Sequence, residues 1–154
     1  MTIFRTIVGV QLLLIENGRV LLARRRNTGF ADGQWNAPGG KLDEGEDVLT
    51  AIIREADEEI GVQVERDDLE LVASIHIQHP PGQTRIVFVF RARNWSGEPC
   101  NREPDVCSEL RWFPLDELPG NTIQSTRAGL DLYRRGENFG VYGWPEPSLI
   151  GDPR

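Results

Sequence analysis

The sequence predicts a single α/β (α+β) domain in which helices sandwich a mixed β-sheet. Two β-rich runs are joined by Asn17-Gly18, a dipeptide typical of a tight type I′ hairpin. Further along the chain, β-rich runs and helical segments follow in the order β-β-α-β-β-β-α, which favours layers of helix and sheet. With 154 residues, the chain (1–154) is long enough for one domain with a substantial core.

Each element is assigned from its hydrophobic periodicity and from the turn residues at its ends. The predicted strands cover residues 6–15, 19–25, 69–78, 84–93 and 109–114, and a second helix covers 122–135. The first helix has about fifteen residues and stops at Gly61, because glycine is common just beyond a helix C-terminus. Residues 140–154 hold three prolines and three glycines, so we expect an irregular tail that packs through Tyr142 and Trp144.

Composition and charge exclude several classes of protein. The chain is 39% hydrophobic and 27% charged, which is typical of a globular domain. No apolar run approaches the roughly 18 residues of a membrane span, and residues 7–15 lack the flanks of a signal peptide, so we expect a cytoplasmic protein without a membrane partner. A net charge of −7 argues against a nucleic-acid polymer as partner. Cys100 and Cys107 have no neighbouring histidines and are interpreted as incidental thiols.

Most of this net charge lies in one segment, residues 40–62, which reads GKLDEGEDVLTAIIREADEEIGV. Within it, Glu55, Glu58 and Glu59 are three and four residues apart, so a helix places them on one face. Crowded carboxylates repel one another unless a cation lies among them, and hard oxygen ligands suit Mg²⁺ or Mn²⁺. A solvated acidic face is the alternative. It is disfavoured because an apolar stripe runs beside the glutamates and because Glu55 and Glu59, one turn apart, carry the same charge.

This segment resembles the Nudix box, in which glycine, glutamate, an Arg-Glu pair, a Glu-Glu pair and a final glycine recur at fixed spacing. The chain matches every fixed position: Gly40, Glu46, Arg54, Glu55, Glu58, Glu59, Gly61 and the apolar Val62. The resemblance implies a Nudix-type α/β/α sandwich with a mixed β-sheet. It also implies a metal-dependent hydrolase that acts on a nucleoside diphosphate linked to another group.

Beyond the box, the chain is similar to the MutT type of nucleoside triphosphate pyrophosphatase over roughly residues 5–136. The loop 95–103 resembles one whose last glutamate, here Glu103, supplies a distal metal ligand. Asn121 stands where that group has an asparagine that recognises the purine, and Arg25 stands where it has a phosphate-binding arginine.

The resemblance assigns roles to the box residues. The catalytic candidates are Arg54, Glu55, Glu58 and Glu59. The expected cofactor is Mg²⁺, with Mn²⁺ as an alternative, held by the carbonyl of Gly39 and by Glu55, Glu58, Glu59 and Glu103. Either Glu58 or Glu103 could be the general base, and the sequence leaves this open. We expect Arg54 to orient a glutamate and Glu46 to tie the loop to the helix.

Four residues are candidates for contact with the substrate: Arg25, Trp35, Arg85 and Asn121. Trp35 could stack on a base, but packing in the core is the alternative that aromatic residues usually follow. Arg85 is either a cross-strand partner or a base contact, and Arg25 either a phosphate contact or an exposed charge at a strand end.

The leading hypothesis is hydrolysis of a nucleoside triphosphate to the monophosphate and pyrophosphate. The box contacts only metal and diphosphate, so a nucleotide sugar, a dinucleoside polyphosphate or a non-nucleotide diphosphate remains an alternative substrate. A non-catalytic, ligand-sensing Nudix domain is disfavoured because all the box glutamates are present. The expected partner is therefore a small-molecule nucleotide or diphosphate, bound by a monomer or a homodimer.

Overall fold

The computed structural model describes residues 1–145. Five strands form the larger of its two sheets: Gly39–Lys41 (β5), Ile7–Leu13 (β1), Thr84–Ala92 (β7), Leu69–Gln78 (β6) and Phe139–Tyr142 (β9), in that spatial order. Strands β1 and β7 are parallel, as are β6 and β9, whereas the other neighbours are antiparallel. The predicted mixed sheet is therefore confirmed.

A second, antiparallel sheet was not predicted. It contains Ile15–Glu16 (β2), Arg19–Arg25 (β3), Trp35–Asn36 (β4) and Cys107–Pro114 (β8). Strands β2 and β4 have only two residues each, too few to show a periodicity in the sequence. The hairpin that joins β2 to β3 is as predicted, because Asn17 and Gly18 both have the positive φ angles, 53° and 74°, that a type I′ turn requires.

Two helices complete the fold: Val48–Ile60 (α1) and Gln124–Arg135 (α2). Helix α1 begins after Asp47, whose side chain accepts a hydrogen bond from the N–H of Thr50 and so satisfies a free donor of the first turn. It ends at Gly61, which has a left-handed conformation with φ 69°, as the sequence predicted.

The two helices pack on opposite faces of the larger sheet, which gives the predicted α/β/α sandwich. Side chains alternate along β1, so that Val10 and Leu12 join the core beneath α1, whereas Leu13 joins the core beneath α2. The α1 core also contains Ile52 and Ile60 from the helix itself. Because alternate residues of β1 face opposite cores, Gln11 lies on the same face of the sheet as Leu13, beneath α2.

The prediction of an irregular tail over residues 140–154 is wrong for its first part. Residues 139–142 form β9, which pairs in parallel with β6 from Ser74 to Ile77. As expected, Tyr142 packs against the core and Trp144 packs on the protein surface, where its ring lies 4.7 Å from that of His76. The rest of the predicted tail, 146–154, lies outside the described residues.

Two other expectations concern the cysteines and the presence of membrane-spanning helices. Cys100 and Cys107 are free thiols. None of the helices within residues 1–145 is long and apolar enough to cross a membrane.

Candidate active site

The site is built where β5 runs beside α1. At Gly39, any side chain would collide with the carbonyl oxygen of Val10, so only glycine permits this approach to β1. At Gly40, a Cβ atom would lie 2.6 Å from Oε1 of Glu55. The two glycines thus bring the β5 backbone directly against the carboxylates of α1.

Arg54 binds three carboxylates by hydrogen bonds, two on α1 and one in the loop before it. Its Nη1 donates to Oε1 of Glu55 at 3.0 Å and to Oε2 of Glu58 at 3.1 Å. Its Nε and Nη2 both donate to Glu46, whose pKa is lowered mainly by this contact. The contacts expected for Arg54 and Glu46 are therefore present.

Glu55 and Glu59 form a second, less polar part of the site. The N–H of Gly39 donates to Oε2 of Glu59 at 3.0 Å, and the carboxyl groups of Glu55 and Glu59 lie close enough to interact. Burial raises the pKa of Glu59 well above its ordinary value, and the charge of Glu55 raises it further. Burial also raises the pKa of Glu55. A divalent cation bound beside this pair would relieve the same repulsion.

Carboxylate oxygens are suitable ligands for a divalent cation, but these side chains are not already arranged around one metal position. Within residues 1–145, no three acidic, histidine or cysteine side chains are already grouped around a point that could hold a cation. Glu58 is half exposed and turns to Arg54, whereas Glu59 faces Gly39. The metal-binding role predicted for Glu55, Glu58 and Glu59 therefore stays a proposal.

Glu103 lies near Glu59, as the sequence predicted. Both line a cleft of about 210 Å³, together with Arg25, Asn36 and Cys107. The loop that carries Glu103 is held in place because its N–H donates to Oδ1 of Asn101 and its carbonyl accepts the N–H of Cys107. Glu103 also adds to the negative charge that raises the pKa of Glu59.

A larger cleft, of about 470 Å³, adjoins the glycines of β5. Its walls come from β1, β5, β7 and the start of α2, and its lining includes Gln11, Phe30, Gly39, Gly40, Arg85 and Thr126. Arg25 and Asn36 line both clefts and so mark the place where the two meet. Arg25 and Arg85 both line this larger cleft, and their contact with a substrate stays a prediction.

The predicted contact of Trp35 with the substrate is corrected by the structure. Its side chain is only 5% exposed and lines neither cleft, because it belongs to the core and packs edge-on against Phe113 at 4.8 Å. Successive side chains of a strand point to opposite faces. In the short strand β4, Asn36 therefore faces the clefts, and Trp35 faces the core.

Asn121 lies in the loop before α2, outside the lining of both clefts. Its Nδ2 donates to the carbonyl of Gly33 at 2.9 Å, and its own carbonyl accepts the N–H of Trp35 at 3.1 Å. This amide therefore fastens one loop to another, and contact with a purine stays a prediction.

Gln11, Asn36 and Thr126 were missed by sequence reasoning. No motif marks them, and the cleft gathers them from β1, β4 and α2. Asn36 had one usable signal, since it lies two residues before Pro38-Gly39 on a predicted approach to the box.

The fold and site define the chain as a Nudix protein. A model of the NUDIX domain family matches residues 4–133, most of the sequence, and the chain belongs to that family.

Relatives and solved structures agree with this assignment. The chain is 38% identical over 112 residues to an oxidized purine nucleoside triphosphate hydrolase from Danio rerio, covering 70% of this chain and 66% of the relative. It is 33% identical over 142 residues to the NAD-capped RNA hydrolase NudC from Pseudomonas aeruginosa, covering 91% of this chain and 47% of the relative. Thus the chain spans between about half and two thirds of these two relatives.

Among solved structures, a MutT NUDIX hydrolase from Burkholderia pseudomallei is similar with a TM-score of 0.76 and 35% identity. The match covers 84% of this chain and 98% of that one. Together with the family match, this confirms the predicted MutT-like Nudix hydrolase and its fold.

Proposed function

We propose that the protein hydrolyses a nucleoside triphosphate to the monophosphate and pyrophosphate, with Mg²⁺ or Mn²⁺ as cofactor. The observation that carries this proposal is the junction of the two clefts at Arg25 and Asn36. A nucleoside in the larger cleft can extend its phosphates past Arg25 toward Glu59 and Glu103. The guanidinium of Arg25 suits phosphate oxygens in charge and shape.

The residues that would hold the metal are Glu55, Glu58, Glu59, Glu103 and the carbonyl of Gly39. A bound divalent ion supplies neutralisation of the phosphate charge and a more acidic water. Arg54 keeps Glu55 and Glu58 in position through its hydrogen bonds at 3.0 and 3.1 Å. Two carboxylates remain candidates for the group that accepts the proton of the attacking water. These are the half-exposed Glu58 and Glu103 in the smaller cleft.

The relatives support a nucleotide substrate. The Danio rerio protein is named as acting on oxidized purine nucleoside triphosphates, and the Pseudomonas aeruginosa protein as acting on NAD-capped RNA. The second name favours an alternative for this chain, in which the diphosphate bridges two nucleosides. Both substrates have a diphosphate next to a nucleoside. They differ in the leaving group of the hydrolysis and not in the diphosphate that the box contacts.

A substrate panel separates these functions. It contains the common and 8-oxo nucleoside triphosphates, NAD and a nucleotide sugar, with pyrophosphate, phosphate and nucleoside monophosphates measured separately in the presence of Mg²⁺. We expect pyrophosphate from a triphosphate and no release of single phosphate. Turnover of NAD alone would favour the second substrate class, and inactivity on every triphosphate would contradict the proposal.

Variants then test whether the acidic site does the chemistry. Glu59→Gln should lose at least about a hundredfold in turnover while the protein stays folded, because the variant keeps the shape and removes the charge. Glu65→Gln is the matched control, since Glu65 is exposed and lies outside both clefts. Ligand binding without turnover in the unmodified protein would instead indicate a sensing domain.

A further inference from the structure

The larger cleft is lined by positive charge although the protein is acidic. Three of its lining side chains are basic, Arg25, Lys41 and Arg85, and no aspartate or glutamate within residues 1–145 lines it. The chain as a whole carries a net charge of −7. A cleft lined by one sign of charge attracts ligands of the opposite sign. The cleft is therefore suited to an anionic ligand.

Strand pairing places Lys41 and Arg85 on either side of β1. Lys41 is the antiparallel partner of Gly9, and Arg85 is the parallel partner of Ile7. Because side chains alternate along a strand, both basic residues lie on the face of the sheet beneath α2. From the spacing of strands and residues in a sheet, their Cα atoms are roughly 12 Å apart. Both side chains have long stems, so their charged groups can contact one ligand between them.

Gly9 keeps the space between the two cations open. The nearest atom to a Cβ built at this position would be the carbonyl oxygen of Gly40, at 3.5 Å, which is an ordinary contact distance. Crowding of the backbone therefore does not require glycine here, whereas a long side chain would fill the space that Lys41 and Arg85 flank. We call this part of the cleft, formed by Ile7, Gly9, Lys41 and Arg85, the distal subsite.

The protein does not neutralise the cations of the distal subsite. Within residues 1–145, neither Lys41 nor Arg85 forms an ion pair with a carboxylate. Of the three guanidinium nitrogens of Arg85, only Nε is buried without a partner. The terminal Nη1 and Nη2 are not enclosed in this way, and the side chain is only partly buried where it lines the cleft. These terminal donors are therefore accessible to a ligand.

The distal subsite is separate from the acidic residues. In the proposed function, the diphosphate binds on the side of β5 where Gly40 lies against Glu55. Because side chains alternate, Lys41 is on the opposite side of this strand. Arg85 is more distant, since its partner on β1 is four residues, or roughly 13 Å, from the partner of Gly39. The distal subsite is thus available to a second anionic group of the same substrate.

We propose that the distal subsite binds a phosphate group on the ribose of the substrate, so that the protein selects nucleotides phosphorylated at the 3′ or 2′ position as well as the 5′ position. A guanidinium and an ammonium group together supply several donors to phosphate oxygens and balance their charge. A neutral base would leave both charges uncompensated. The inference rests on the proposed function for the placement of the 5′ phosphates.

Ligands that differ by one phosphate provide the test. Binding of adenosine 5′-monophosphate, adenosine 3′,5′-bisphosphate and adenosine 2′,5′-bisphosphate is measured by calorimetry without metal, so hydrolysis plays no part. We expect the unmodified protein to bind at least one bisphosphate about tenfold more tightly than the monophosphate, since hydrogen bonds to a charged group are added. The isomer that binds more tightly identifies the position of the second phosphate.

Charge-removing variants show where the second phosphate binds. Arg85→Gln should bring the affinities for the bisphosphate and the monophosphate within about twofold of each other, and Lys41→Gln should reduce the preference in the same direction. Arg134→Gln is the matched control, because it removes the same charge at an exposed position outside both clefts. A lack of preference in the unmodified protein, an equal loss in Arg134→Gln, or an equal weakening of both ligands in Arg85→Gln would overturn the proposal.

Two further measurements separate phosphate binding from other roles of Arg85. The melting temperature of Arg85→Gln should be unchanged, and a decrease with the same loss for both ligands would show that Arg85 supports the fold instead. If this variant did not fold, Lys41→Gln, changed at an exposed position, would decide the question. A preference for guanosine over adenosine 5′-monophosphate that depends on Arg85 would mean that Arg85 binds the base, and would contradict the proposal. Selective bisphosphate binding without hydrolysis of any triphosphate would contradict only the proposed function.

Discussion

The guanidinium of Arg54 holds Glu46 by two hydrogen bonds, from Nη2 to Oε1 at 2.6 Å and from Nε to Oε2 at 3.0 Å. The same carboxylate accepts the N–H of Asp43 at 2.7 Å. Glu46 thus joins the loop before α1 to the helix, and Arg54 extends this link to Glu55 and Glu58. One planar side chain therefore sets the position of two proposed metal ligands.

Replacing Arg54 by lysine should uncouple this link, because an ammonium group does not reproduce the paired contacts of a planar guanidinium. We expect Arg54→Lys to lower kcat/KM about 10- to 100-fold and to require more Mg²⁺ for half-maximal activity, as is typical when a group that orients metal ligands is changed. Arg93→Lys is the control, since within residues 1–145 the side chain of Arg93 makes only an exposed contact with Glu70. An unchanged Mg²⁺ dependence would contradict the role given to Arg54.

Gly40 should not tolerate a methyl group without a loss of activity. In Gly40→Ala, the new Cβ would lie 2.6 Å from Oε1 of Glu55, so the carboxylate must move. Because this atom ends a flexible side chain, we expect little change in melting temperature but at least about a tenfold loss of turnover. Gly120→Ala is matched, since no atom of the described residues, 1–145, lies within 4 Å of its added Cβ. Full activity in Gly40→Ala would show that Glu55 need not occupy its present position.

The acidic half of the site could be predicted because residues close together in the sequence determine it. Helical spacing alone places Glu55 and Glu59 on one face, and the glycine at 61 marks the end of that helix. The box resemblance supplied the rest of this half, including the arginine that binds Glu46.

The other half of the site depends on pairing between distant segments. Gln11 lines the cleft because β1 pairs with β7, and no local pattern encodes that partnership. The error at Trp35 has the same origin, since the partners of the two-residue strand β4 decide which of its faces is buried. Strand β9 was missed because its pairing with β6 spans 65 positions in sequence, from Ser74 to Phe139.

Arg25 should act on substrate binding more than on stability. Its Nε donates to the carbonyl of Phe30 at 2.9 Å, which fixes the side chain where the two clefts meet. We expect Arg25→Gln to raise KM for the triphosphate about tenfold or more, because a charge-assisted phosphate contact is lost. Steady-state kinetics at several salt concentrations measures this. Arg19→Gln provides the comparison, as Arg19 is exposed at the start of β3, and an equal effect in both variants would indicate only a loss of general positive charge.

The contacts of Asp47 lead us to expect that the stability of the protein depends on pH. Its Oδ1 accepts the N–H of Thr50 at 2.7 Å and its Oδ2 pairs with Nη2 of Arg66 at 3.1 Å, and these contacts lower its pKa from 3.8 to about 2. A lowered pKa in the folded state stabilises the protein above the ordinary value, and this stabilisation is lost as pH falls toward about 2.

Asp47→Asn keeps a helix cap but has no charge to pair with Arg66. The variant should therefore melt a few degrees lower than the unmodified protein at pH 7, and the difference should shrink as pH falls from about 4 toward about 2, as thermal unfolding followed by circular dichroism can measure. Asp116→Asn, an exposed control in a turn, should show no such convergence. A difference that stayed constant with pH would mean that the amide introduced by Asp47→Asn disturbs the helix start by its shape, because only the loss of a charge interaction disappears on protonation.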